Sequence, residues 1–79
     1  MNLYPEVLAL SRSYLGDNAD NFVNHQIQYH LHSGGHYISP NELNIFTEWA
    51  SVSLALLTDD EQLVRGYTAR LSRLAKTNA

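Results

Sequence analysis

The stretch from Ser39 to Leu57, SPNELNIFTEWASVSLALL, places the strongest constraint on how this chain folds. It opens with Ser39, Pro40 and Glu42, the residue types of an N-cap, a first helical position and a capping box, so we predict a helix over 40–57. On a helical wheel its apolar residues cover an arc of roughly 200°, wider than an ordinary amphipathic stripe. They are Leu43, Ile45, Phe46, Trp49, Ala50, Val52, Leu54, Leu56 and Leu57. A helix with so wide an apolar face needs neighbours on two sides.

Three further helical patterns flank this central helix in the sequence. Gly16 is placed to end the first of them, and Asp17 to serve as the N-cap of the second. A glycine pair at 34–35 then predicts a turn. Thr58 and Glu61 have the spacing of a second capping box before the last helix. The predicted helices cover 5–15, 18–32, 40–57 and 59–76.

This pattern predicts an all-α fold, a small four-helix bundle formed by a single domain over residues 1–79. A core of this size supplies only about 3–5 kcal/mol, so completion of the bundle by homodimerisation stays open. The chain has no cysteine, which excludes a disulfide framework, a thiolate metal site and cysteine catalysis. The core must therefore hold without covalent staples.

The charge distribution is uneven. The formal net charge is −3, and no Lys or Arg occurs between Ser13 and Val64. The last helix instead carries a basic stripe of Arg65, Arg70, Arg73 and Lys76. Such a stripe is most often a solvated helix face, and binding of nucleic acid through it is the alternative. The acids of TDDEQ at the start of this helix would face the phosphates, which argues against a recognition helix.

All four histidines, His25, His30, His32 and His36, fall within twelve residues. Imidazoles ligate zinc, but two on one helix need a spacing of three or four residues to reach the same ion. Only His32 and His36, across the glycine turn, could converge. We therefore predict no metal site and no cofactor, with metal or small-ligand binding by these histidines as an alternative to solvated or capping roles.

Three positions do not fit the pattern of their helices. Gln26 and His30 form a polar pair on the predicted buried face of the second helix. Because buried polar groups must be paired, they hydrogen-bond within the core, or they line a pocket or a dimer seam. Gly66 lies on the polar side of the last helix, where it costs up to about 1 kcal/mol relative to alanine. Only a close contact would account for it.

The function predicted from these observations is that of a small, non-enzymatic interaction or regulatory module. Ile45, Trp49 and Val52 lie at the edge of the wide apolar arc, where a small monomer need not cover them, and Tyr29 is a second aromatic anchor. The expected partner is a protein or a second copy of the chain as a homodimer, not nucleic acid or a membrane. No catalytic motif is present. The first residues lack the basic and apolar regions of a secretory signal, so the expected location is the cytoplasm.

Overall fold

The computed structural model describes residues 1–31 and 35–78, and all regular structure in these ranges is helical. The predicted all-α class is therefore confirmed. The elements are α1 over Tyr4–Leu15, a 3-10 turn over Gly16–Asn18, α2 over Ala19–His30, α3 over Pro40–Leu57 and α4 over Glu61–Thr77.

The count of helices differs from the prediction because α1 and α2 are not separated by a loop. Gly16, at φ 62°, ends α1 as predicted, and the 3-10 turn then leads directly into α2. No residue separates α1, the 3-10 turn and α2, so the described residues form three helical segments, 4–30, 40–57 and 61–77, and a bundle of four separate helices is not confirmed. Asp17 is not an N-cap, because it lies inside the 3-10 turn. The residue before α2 is Asn18, and no side chain caps this helix start.

The second helix also ends earlier than predicted. Leu31 has extended backbone, φ −112° and ψ 155°, so α2 ends at His30. The side chain of Leu31 is buried, and leaving the helix here lets it join the core. Gly35 has the positive φ, 59°, expected of the predicted glycine turn. His32 and Gly34, which the predicted helix and turn included, lie outside the described residues.

The start of α3 follows its local signal. The Oγ of Ser39 accepts a hydrogen bond from the Glu42 N–H at 3.2 Å, and the Glu42 carboxylate accepts one from the Ser39 N–H at 3.4 Å. The predicted capping box is therefore confirmed.

The predicted start of α4 is wrong by two residues. Asp60 is its N-cap, because Oδ1 of Asp60 accepts from the Leu63 N–H at 3.1 Å. Thr58 instead accepts from the Asp60 N–H and stabilises the corner. Thr58 and Glu61 therefore form no capping box. The three-residue corner places the carboxylate of Asp60, not the hydroxyl of Thr58, at the open N–H groups of the helix.

The helices pack in a closed ring in which α1 contacts α2 and α4, and α3 contacts the same two helices. Each contact includes a hydrogen bond between side chains of the two helices. The pairs are Tyr4 with Asn24 at 3.0 Å, Gln26 with Ser53 at 3.2 Å, Ser51 with Thr68 at 3.0 Å, and Ser11 with Tyr67 at 2.7 Å. No buried side-chain donor or acceptor of the described residues lacks a partner. These hydrogen bonds favour one alignment of each pair of helices, because any other alignment would leave these polar side chains unpaired.

The core lies inside this ring, with Phe46 of α3 and Tyr67 of α4 as its largest side chains. Burial raises the pKa of Tyr67 to about 12, although its hydrogen bond with Ser11 acts in the opposite direction. Gly66 provides space for the ring of Tyr14, because a Cβ at position 66 would lie 3.2 Å from Cε1 of that ring. The glycine therefore allows the close approach of α1 and α4.

Candidate protein interaction surface

The outer face of α3 carries a continuous row of exposed apolar side chains, which we name the α3 stripe. It consists of Ile45, Trp49, Val52 and Leu56, with exposed fractions of 41%, 44%, 54% and 82%. Their spacing of four, three and four residues places them one above the other on a helix. The opposite face of α3 is buried in the core through residues such as Leu43 and Leu54, so one helix serves both the core and the surface.

The ring of Trp49 has a defined partner on the neighbouring helix. The imidazole of His30 stacks on the indole, with the ring centroids 4.0 Å apart and the planes 3° from parallel. His30 is half-buried in this position, whereas Gln26, the other member of the predicted polar pair, is buried and accepts a hydrogen bond from Ser53. The stack covers one face of the indole and restricts its orientation.

A groove of about 770 Å³ adjoins the C-terminal end of the stripe. Its walls are mainly apolar and include Leu15, Phe22, Leu56 and Leu57. Because Leu56 belongs to both features, the stripe and the groove form one continuous apolar surface. His25 also lines the groove.

The predicted anchor Tyr29 lies on α2, with an exposed fraction of 63%. Its ring centroid is 4.5 Å from that of His25, which connects it to the groove rather than directly to the α3 stripe. Both predicted aromatic residues are therefore exposed, Trp49 on α3 and Tyr29 on α2 beside His25, and their role as anchors stays a prediction.

The histidines that the structure describes each pack against an aromatic ring. Besides the two on α2, His36 is exposed and stacks on Tyr4, with centroids 4.9 Å apart. Within residues 1–31 and 35–78, no three His, Asp or Glu side chains are grouped so that they could hold a metal ion. The predicted candidate pair of His32 and His36 cannot be placed, because His32 lies outside these ranges.

The basic stripe is exposed along α4 at each of its four positions, Arg65, Arg70, Arg73 and Lys76. Arg65 lies 3.8 Å from Glu61, an exposed pair of the kind that contributes little to stability. Arg70 and Arg73 line a shallow groove between α1 and α4, and Glu6 lines it as well. The positive charge of this face is therefore partly offset by acids.

One ion pair was not predicted from the sequence. Arg12 of α1 donates two hydrogen bonds to the carboxylate of Asp20 at 2.9 and 2.8 Å, across the 3-10 turn. This hydrogen bonding lowers the pKa of Asp20 and raises that of Arg12. The separation of eight residues belongs to no helical pairing rule, so only the path of the turn could reveal it.

No known protein family, curated protein or solved structure matches this chain. Among the described helices, none has both the length and the apolar character needed to cross a membrane.

Proposed function

We propose that this protein is a small, non-enzymatic interaction or regulatory module that presents the α3 stripe to another protein molecule. The observation that carries this proposal is the exposure of four apolar side chains in one row on a helix whose other face forms the core. Single exposed apolar residues are normal on a protein surface, whereas contiguous apolar patches mark interaction sites. Trp49 lies within the row, and tryptophan is enriched among the residues that dominate binding energy.

The energy available from this surface suggests reversible binding. Complete burial of an aliphatic or aromatic side chain is worth about 1.5–3 kcal/mol. Since the stripe is already partly covered, burial of the remainder would supply on the order of 5 kcal/mol. Loss of rotational and translational freedom costs about 4–15 kcal/mol. Additional contacts, for which Tyr29 and the groove are suited, are therefore part of the proposal.

We also propose that the four α-helices act as one bundle. A second molecule completes this bundle by covering the outer face of α3. The proposed location is the cytoplasm.

Nucleic acid is not the proposed partner. Glu6 lies in the same groove as Arg70 and Arg73, and Glu61 lies beside Arg65, so a bound phosphate backbone would meet acids as well as bases.

Site-specific photo-cross-linking in the cells that make the protein tests the proposal. A photoreactive amino acid at Val52, within the stripe, should give covalent adducts of discrete mass. The matched control carries it at Gln62, which is also exposed and belongs to α4, outside the stripe. The same weak, diffuse pattern from both positions would show that the stripe is not an interaction surface.

A further inference from the structure

We propose that the partner of the α3 stripe is a second copy of this chain, and that the two α3 helices pack antiparallel across a two-fold axis. This inference rests on the proposed function and specifies its partner. The spacing of the stripe, four, three and four residues, is unchanged when it is read in the opposite direction. An antiparallel pair therefore brings Ile45 opposite the partner's Leu56, and Trp49 opposite the partner's Val52. A two-fold contact requires this kind of self-complementary surface.

The sizes of the side chains favour the antiparallel orientation. Alternating separations of three and four residues also form the seam of paired helices in coiled coils, where side chains must interdigitate without gaps. In the antiparallel pair the large indole of Trp49 faces the small side chain of the partner's Val52. A parallel pair would instead place two indoles opposite each other and leave two valines facing across a gap.

The centre of the proposed contact carries no charge. Glu48 is the one charged side chain of residues 43–57, and it is exposed at the edge of the stripe, one position before Trp49. The two-fold pair therefore buries only neutral side chains between its helices, as the cores of protein interfaces do.

The area of the surface predicts a reversible dimer. A stable interface buries roughly 800 Å² on each partner, which is about one sixth of the 4987 Å² exposed by this chain. The stripe covers eleven residue steps of helix, about 17 Å in length. The dimer reaches an area of that size only if residues on both sides of the stripe are buried as well. We therefore expect the mass in solution to rise from 8.9 kDa toward twice that value as the concentration increases.

Cysteine cross-linking tests the orientation directly, because the natural chain contains no cysteine. Ile45→Cys and Leu56→Cys proteins are purified separately, then oxidised alone and as an equimolar mixture in a glutathione redox buffer. The antiparallel dimer should give a disulfide in the mixture and none with either variant alone. Two copies of the same position would lie about 17 Å apart along the axis, whereas a disulfide needs Cα atoms within about 7 Å. Gln62→Cys mixed with either variant is the control for random oxidation.

Light scattering over a concentration range of about 10 µM to 1 mM measures the association itself. Val52→Glu should remain at the monomer mass while keeping the helical circular dichroism of the wild type, because the native side chain is exposed. A wild-type protein that stays monomeric, or disulfides formed by each variant alone, would overturn the inference. If the wild type is monomeric but Val52 still cross-links to a heavier protein in cells, the proposed function stands with a different partner. If both experiments fail, both proposals are rejected.

Discussion

Replacement of Tyr67 by phenylalanine should make the stability of this protein less sensitive to alkaline pH. The phenol of Tyr67 is buried against Ser11, and burial raises its pKa from 10.0 to about 12. Between these values the unfolded chain releases the phenolic proton while the folded chain retains it. The folded state therefore loses stability as the pH rises through this range. A pKa difference of two units between the folded and unfolded states lowers the free energy of unfolding by about 3 kcal/mol when titration is complete. Roughly half of this loss is expected by pH 11.

At neutral pH the same substitution should lower the free energy of unfolding. Tyr67→Phe leaves the buried hydroxyl of Ser11 without its partner, and an unpaired buried polar group costs about 1–3 kcal/mol. The wild type should therefore be the more stable protein at pH 8. Its advantage should shrink steadily above pH 9, because only the wild type carries the group that titrates on unfolding.

Urea unfolding followed by circular dichroism measures this difference between pH 8 and pH 11. The free energy of unfolding of the wild type, relative to Tyr67→Phe, should fall by about 1.4 kcal/mol over the range. Tyr29→Phe is the matched control, because it removes a phenol from an exposed position and leaves the buried pair of Tyr67 and Ser11 in place. If the difference in the free energy of unfolding between wild type and Tyr67→Phe stays constant from pH 8 to pH 11, the argument from burial is refuted.

Two further predictions concern contacts that join helices. Gly66→Ala should stabilise α4 by up to about 1 kcal/mol through helix propensity, but the added methyl group contacts the ring of Tyr14. The substitution should therefore stabilise the protein more when Tyr14 is replaced by leucine. A double-mutant cycle from urea unfolding should give a coupling of at least about 0.5 kcal/mol, and simple additivity would contradict the contact. Arg12→Gln should return the pKa of Asp20 toward its ordinary value of 3.8, because the two hydrogen bonds that favour the carboxylate are lost. An NMR titration of the Asp20 carboxyl measures this, and an unchanged pKa would show that the pair does not form in solution.

Local signals in the sequence predicted most of the helical structure. The Ser39 capping box and the Gly16 stop act through groups no more than four residues away, so no distant part of the chain can change them much. The start of α4 was harder, because Thr58 and Asp60 both have capping side chains and lie close together. Which of them reaches the first free N–H groups depends on the path of the corner, and that path is set by how α3 and α4 pack.

The candidate surface was partly visible in the sequence. The helical wheel placed Ile45, Trp49 and Val52 at the edge of the apolar arc, and the structure shows all three exposed. The wheel does not distinguish Leu56, the most exposed member of the stripe, from the buried residues of the same arc. A wheel gives the direction of each side chain, but it does not show how far the neighbouring helices extend along α3.

The sequence by itself determined the helical class and most of the helix limits, because helical period, capping and glycine stops operate within about one turn of backbone. Only the tertiary structure decided which part of the wide apolar arc of α3 is covered. It also decided that His30 stacks on Trp49 and that Arg12 reaches Asp20. These outcomes depend on the alignment of one helix against another, and no residue spacing within a single helix specifies that alignment.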